Sequence, residues 1–378
     1  MIWRTDVVRL EPTPEQEKVL REVGDAMARL VNMENYRRRR LFFEGKGIDC
    51  SWMSAWKQRK EEYKEVYELL DSANFHEASR FISEAWKSFR ELLRAKKEGR
   101  LTLWQNPPGY MKKERHRTPI IVIRCDQYKV DLEKKKLHIC LGVQRHRVKL
   151  SVPFKGKPKW LLRKGAKKGR LVVKYDIVKQ RWYAHMSVLI ARVKEVEKPA
   201  RLIAGIDLGR EVLVTAVTEH GEGLLYRGGP LKSAYYYFER RIATLDRMIA
   251  KTEETDKAVL REERRRLYEK RKKQRDQIFA NTSRHLAEEF KKHGVGIVFI
   301  GYPKDIAQEK PGKENVNMWS YRKLVQRLSL TLENYNIAVF AVDEHLSSKK
   351  CAWHDCEAKR EPRGLIKCPK GHTQCTAT

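Results

Sequence analysis

The spacing of apolar residues changes along the chain, and the changes mark out its elements. The first residues lead as a short strand into Val8 and Leu10 and then reach Thr13, Pro14, Glu15 and Gln16. Thr13 is placed to cap a helix, Pro14 suits its first position, and Gln16 completes a capping box. From Pro14 onward Val19, Leu20, Val23, Met27, Leu30 and Val31 recur at helical spacing. Phe75, Ala78, Phe81, Ile82, Ala85, Trp86 and Phe89 do the same, so residues 13–98 are predicted to form a helical lobe that stops near Gly99. Pro107, Pro108 and Gly109 mark a turn. The pattern then becomes β-rich, with strands predicted at Ile120–Ile123, Lys136–Leu141, Leu171–Tyr175 and Trp182–Ile190. Residues 1–12 and 99–198 together are expected to make a small β-barrel.

The charged stretch Val193–Arg201 reads as a linker. After it, Leu202–Asp207, Val212–Thr218 and Gly223–Tyr226 are three closely spaced strands separated by Gly209 and Gly221. A long helical segment follows, with Ile242, Leu245 and Ile249 on one face. Next come a buried-type strand at Gly296–Ile300, a helix from Trp319 to about Asn334, and a strand at Ile337–Val342. The order β-β-β-α-β-α-β, hairpins first and crossovers afterwards, fits an RNase H-like α/β domain over residues 201–347. No GxGxxG or GxxxxGK[ST] loop opens it, which argues against a doubly wound nucleotide fold. The fold class expected for the whole chain is α+β and multidomain.

Charge adds the partner. The 378 residues carry 81 Lys and Arg against 49 Asp and Glu, a net charge of +32. Such a chain repels itself unless a polyanion neutralises it, and nucleic acid is the polyanion that fits. Basic clusters recur at Arg37–Arg40, Arg145–Lys149, Lys155–Arg170 and Arg261–Arg275, a spread that suits a long binding channel. Lys251–Arg275 alone holds 11 basic and 6 acidic residues. Arg261, Arg264, Arg265, Lys272 and Lys273 are the candidate nucleic-acid contacts there, against the plainer reading of a solvated helix face. No apolar run approaches the roughly 18 residues of a membrane span and no secretory signal opens the chain, so a cytoplasmic location is expected.

Two groups of residues carry candidate chemistry. Asp207 ends an apolar strand inside Ala204-Gly205-Ile206-Asp207-Leu208-Gly209, where glycines leave space around a carboxylate. That is the setting of a Mg²⁺ ligand, although a nuclease of the RNase H type needs further carboxylates to converge on two ions. Four of the seven cysteines, Cys351, Cys356, Cys368 and Cys375, lie in the last 28 residues beside His354 and His372. Two short Cys/His pairs can each hold one edge of a tetrahedral Zn²⁺. Cys351, His354, Cys368 and His372 are the predicted quartet, with Cys356 able to replace His354 and Cys375 able to replace His372. With four protein ligands the zinc would be structural.

Several of these motifs together resemble the TnpB (OrfB) family, insertion-sequence proteins related to the compact type V CRISPR effector nucleases. They are the GIDLG around Asp207, the basic helical hairpin ending in Asn281, Thr282, Ser283 and Arg284, the helix opening Trp319, Ser320, Tyr321, Arg322, Lys323 and Leu324, and Ser347-Ser348 ahead of the Cys/His pairs. The opening Leu10–Gln16 is also similar to the family's start. The resemblance implies a recognition lobe over 13–98, a wedge barrel, a RuvC nuclease domain, and a zinc-finger insert at 348–378. It further implies a guide RNA from the element's own end, a double-stranded DNA target and Mg²⁺-dependent cutting, with base pairing supplying sequence specificity.

In that family the catalytic set is Asp, Glu, Asp, and Asp207 matches the first. Gly301 stands where the Glu is expected, and the residues after the Cys/His segment, Thr376-Ala377-Thr378, hold no Asp. The expectation is therefore a C-terminally short, RNA-guided DNA-binding protein with impaired nuclease activity. One alternative is an active endonuclease in which Glu344, next to Asp343 at the end of its strand, supplies the missing ligand. Another is a basic nucleic-acid-binding structural protein that uses no guide. The spacing supports no Tyr or Ser recombinase arrangement, and strand transfer is not expected.

Overall fold

The computed structural model describes residues 2–99, 105–111, 118–143, 146–191, 202–302, 318–343, 351, 354, 356–359, 365–371 and 373–375. The chain divides into two compact units, Met1–Ala191 and Arg192–Thr378.

In the first unit, strand β1 (Ile2–Leu10) leads into helix α1 (Pro14–Phe43). The start of α1 is fixed by the capping box: the Gln16 amide donates to Thr13 Oγ1, and the Thr13 amide donates to the Gln16 side chain. The same Gln16 side chain donates to the carbonyl of Ser151, 135 residues away, so the cap also ties the helix to the sheet. Helix α2 (Trp52–Lys57) is short, and α3 (Lys64–Lys97) runs 34 residues. Gly24 in α1 has a packing role: a Cβ there would lie 2.9 Å from the Cβ of Pro119. Six further strands follow: β2 (Ile120–Ile123), β3 (Tyr128–Asp131), β4 (Lys136–Val143), β5 (His146–Lys155), β6 (Lys167–Asp176) and β7 (Arg181–Ile190).

The seven strands form one antiparallel sheet in the order β2-β6-β7-β1-β5-β4-β3. It curls: the Tyr128 hydroxyl on β3, at one edge, donates to the carbonyl of Gly169 on β6, next to the other edge, at 2.9 Å. Helices and sheet share one hydrophobic core, in which Leu20, Leu30 and Trp86 of the helices meet Ile121, Leu171 and Trp182 of the sheet. A polar network sits inside this core. Glu34 and Arg38, both fully buried, are bonded at 2.7 Å. Arg38 also donates to the carbonyls of Asp49 and Ser51 and to Ser83 Oγ, while Glu34 accepts from Tyr63 Oη and from Arg37. A buried pair in which every guanidinium nitrogen is hydrogen-bonded holds the 49–51 loop against both helices.

The second unit is built on a five-stranded sheet ordered β10-β9-β8-β11-β12. Strands β8 (Leu202–Asp207), β9 (Val212–Thr218) and β10 (Gly223–Arg227) are antiparallel. Strands β11 (Val295–Tyr302) and β12 (Ala338–Asp343) add parallel to β8. The helical stretch between β10 and β11 is two helices, α4 (Gly229–Lys251) and α5 (Glu254–Lys292). It breaks where Thr252 turns extended and its hydroxyl caps Met248. Helix α6 (Tyr321–Glu333) begins later than the Trp319 expected from periodicity, because Ser320 takes a left-handed conformation with φ of 38° and interrupts the turn. Phe279, Leu286 and Phe290 of α5 and Leu324, Leu328 and Leu332 of α6 cover one face of the sheet, packing on Ala204, Ile206, Val298 and Ile300. A small hairpin, β13 (Leu365–Lys367) with β14 (Thr373–Cys375), ends the described chain.

Candidate functional site

Asp207 is the last residue of β8, with Thr215 of β9 as its antiparallel neighbour. Side chains alternate along a strand, so Ile203, Gly205 and Asp207 lie on the face opposite the helix-covered Ala204 and Ile206. That face is apolar and exposed: Leu225, Val217, Ile203, Phe299, Phe340 and Val342 lie on it, with the Phe299 and Phe340 rings stacked 5.7 Å apart. Ile300 pairs with Ile206, so the parallel register carried one residue further sets Gly301 beside Asp207. Gly301 in turn pairs with Val342, and Tyr302 with Asp343. The carboxylate of Asp207 therefore has a glycine and a valine in register with it on the next two strands. Asp343 is the last residue of β12, and Glu344 lies outside the described residues.

The Cys/His segment gathers a donor set. Cys351 Sγ and His354 Nδ1 are 3.6 Å apart, and His354 Nδ1 and Cys368 Sγ 3.3 Å. These three ligand atoms lie within 4.8 Å of one another. With zinc bond lengths of about 2.0–2.3 Å, the edges of a tetrahedron come to about 3.5–3.8 Å, so the trio is spaced for one ion. The Lys370 amide donates to Cys368 Sγ at 3.4 Å, which orients the sulfur within the cluster. The backbone supports the same arrangement: the Cys351 amide donates to the Cys356 carbonyl, and Lys359 and Lys367 exchange both of their backbone bonds. Cys356 Sγ lies 3.3 Å from Cys368 Sγ and stands outside the trio. Of the quartet expected from sequence, Cys351, His354 and Cys368 come together. His372 and the side chain of Cys375 lie outside the described residues. The cluster can bind a metal such as zinc.

The basic helix places the five candidate contacts unequally. Arg264 is bonded to Asp246 of α4 at 2.6 Å, and Arg265 is bonded to Glu262 one turn back. Lys272 and Lys273 are exposed on α5, and Arg261 also faces solvent. Two cations that the periodicity did not single out lie close to Lys272. Arg275 is buried and donates to Ser320 Oγ at 3.2 Å, and Lys323 sits in the first turn of α6. Partial burial and the Arg275 and Lys272 charges hold the Lys323 amine below the usual lysine value. Their signal in the sequence was weak, since Arg275 does not stand out within its basic cluster and Lys323 shares an amphipathic helix with Arg322 and Arg327.

Comparison with known proteins sets this geometry in a family. Residues 185–307 match the OrfB_IS605 model, described as a probable transposase. Over 98% of its length the chain is 35% identical to the TnpB-like protein ORF457 of Acidianus two-tailed virus, covering 83% of that protein. The chain belongs to the TnpB-like family. Its fold is mixed α/β and similar to that of a Cas12f1 whose structure was solved as a complex with sgRNA and target DNA. The TM-score is 0.69 at 15% identity, covering 97% of the TnpB-like chain and 81% of the Cas12f1. No helix among the described residues is long and apolar enough to cross a membrane.

Proposed function

We propose that this TnpB-like chain is an RNA-guided DNA-binding protein with an impaired nuclease centre. Family membership over nearly its whole length supports the guided reading, and so does likeness in fold to a Cas12f1 captured with sgRNA and target DNA. In this reading residues 13–98 are the recognition lobe, and 1–12 with 99–198 the wedge. Residues 201–347 are an RNase H-like RuvC domain, and 348–378 a zinc-finger insert. The strand order β10-β9-β8-β11-β12, with three antiparallel strands followed by two parallel ones, supports the RuvC assignment. The partners are a guide RNA from the element's own end and duplex DNA, which puts the protein in the cytoplasm.

Gly301 beside Asp207 is the observation that carries the impairment. Two-metal cutting requires carboxylates that converge on the ions, and a glycine at that register position removes one of them. Mg²⁺ affinity falls first, whereas contacts to phosphates made by scattered Lys and Arg are independent of it. Glu344, two positions past Val342, is the one substitute ligand that the sequence offers on the same alternation. The zinc is structural and holds the Cys/His hairpin together.

The test is to purify the chain from cells that also carry its downstream flank, sequence the bound RNA, and add guide-matched duplex with Mg²⁺. A defined RNA mapping to the gene's own end, with no cleavage, is the expected result. A heterogeneous mixture of host RNA would instead favour the guide-independent alternative. Magnesium-dependent cutting abolished by Asp207→Ala would show that the centre assembles despite Gly301 and would point to Glu344. Metal analysis should find about one zinc per chain, lost in Cys368→Ser.

A further inference from the structure

The contact between α5 and α6 gathers Lys272, Arg275 and Lys323, and among the described residues the two lysines have no acidic partner. Lys272 and Arg275 are three residues apart on α5, hence on the same helix face. Lys323 enters from the first turn of α6, which holds no acidic residue. Arg275 is buried and fixed, donating to Ser320 Oγ at 3.2 Å and to Asp276 at 2.8 Å. Asp276, the acid nearest this group, is thereby engaged. Neither Lys272 nor Lys323 takes part in an ion pair among the described residues. Neighbouring cations repel one another, and partial burial together with the Arg275 and Lys272 charges holds the Lys323 amine below the usual lysine value. An anion placed among them would relieve that repulsion and gain charge-assisted hydrogen bonds. A further polar donor lies nearby without a partner: the indole N–H of Trp319, the buried residue preceding Ser320.

We propose that Lys272, Arg275 and Lys323 form a clamp for a nucleic-acid phosphate at the α5–α6 contact. The clamp rests on the nucleic-acid-binding function proposed above and adds Arg275 and Lys323 to it. Arg275 is the positioning residue, held by Ser320, and the two exposed lysines close on the phosphodiester from different helices. A phosphate held from two helices would fix the strand in place, which a lysine on a lone exposed helix face cannot do.

The test measures the salt dependence of binding to 30-nucleotide single-stranded RNA and DNA of one sequence. It compares wild type, Lys272→Ala, Lys323→Ala and the double variant. Both lysines are on the surface, so the variants should fold, and a melting curve checks this. Each lost phosphate contact on a single strand lowers the slope of log K against log salt by about 0.7. The double variant should therefore lose about 1.4 in slope, so that between about 50 and 200 mM salt its affinity falls about sevenfold less than that of wild type. Lys323→Arg should keep the wild-type slope. Lys292→Ala, which removes one charge from the far end of α5, should not reproduce the change. An effect confined to RNA would identify the guide as the strand held, and one confined to DNA would identify the target. If wild type binds both strands and the double variant keeps its slope, the clamp is wrong and the proposed function stands. If wild type binds neither, both fail.

Discussion

Two basic runs that look alike in the sequence are spent to different degrees in the structure. Arg37–Arg40 in α1 and Arg261–Arg275 in α5 both read as nucleic-acid patches, yet the first is almost wholly consumed inside its own unit. Arg38 is buried against Glu34, Arg37 bridges Glu34 and Asp49, Arg39 donates to the carbonyls of Pro107 and Pro108, and Arg40 meets Glu44. Burial and the neighbouring Glu34 carboxylate, to which it donates, hold the Tyr63 hydroxyl well above the usual tyrosine value, with the Arg37 charge opposing them. In α5 Arg264, Arg265, Arg266, Arg271 and Arg275 are ion-paired too, but the exposed Lys272 and Lys273 remain outside ion pairs among the described residues. A basic cluster is thus evidence of a polyanion partner only where burial and local acids leave it unspent.

The largest effect that separates the two runs is Arg38→Ala. Removing Arg38 takes one of two arginines from the buried Glu34 and strips the carbonyls of Asp49 and Ser51 of their donor, which should cost about 3–5 kcal/mol of stability, read as a lowered denaturation midpoint. A loss under about 1 kcal/mol would mean that the pair is solvated and that the comparison is wrong. Thr13→Ala should cost about 1 kcal/mol, because it removes one half of the capping box at the start of α1. Arg264→Ala, in an exposed pair with Asp246, should change stability by no more than about 1 kcal/mol in the same denaturation experiment.

The smallest effect is a slope with pH. Burial and neighbouring Arg or Lys charges lower the pKa of His76 and of His185 below the ordinary histidine value. The folded first unit therefore binds fewer protons than the unfolded chain. Its stability is complete above about pH 6.5, the unperturbed value, and is lost as the pH falls through the depressed folded values. His76→Gln with His185→Gln should flatten unfolding free energy across that window. An unchanged slope would assign the pH dependence to other groups.

How far the sequence spoke for itself depended on whether the signal was local. The capping residues Thr13 and Gln16, the alternation in Trp182–Ile190, and the apolar strand ending at Asp207 are local, and each was legible. Strand β5 was hidden, because Lys149 with the neighbouring His146 and Arg147 made it read as a basic cluster, while Leu150, Val152 and Phe154 point inward. The break at Ser320 depends on a positive φ that a serine does not advertise. The burial of Arg38 depends on Tyr63 and Ser83, 25 and 45 residues away, so no window around Arg37–Arg40 could disclose it. At the candidate nuclease centre the position of Gly301 beside Asp207 required the parallel register of β8 and β11, although the resemblance to TnpB had already marked the same glycine. In the Cys/His segment spacing named a quartet, of which Cys351, His354 and Cys368 come together while His372 lies outside the described residues.

The most direct test of guided DNA binding without cutting is a single titration of the purified complex, with its own RNA bound, against labelled duplexes that match or mismatch that RNA. It is run in Mg²⁺ with Asp207→Ala beside wild type, and binding and cleavage are scored together. Tight, RNA-dependent binding of the matched duplex alone is expected, equal in the two proteins, with both strands left intact. Equal binding of matched and mismatched duplexes, or cleavage by wild type that Asp207→Ala removes, would contradict guided binding without cutting.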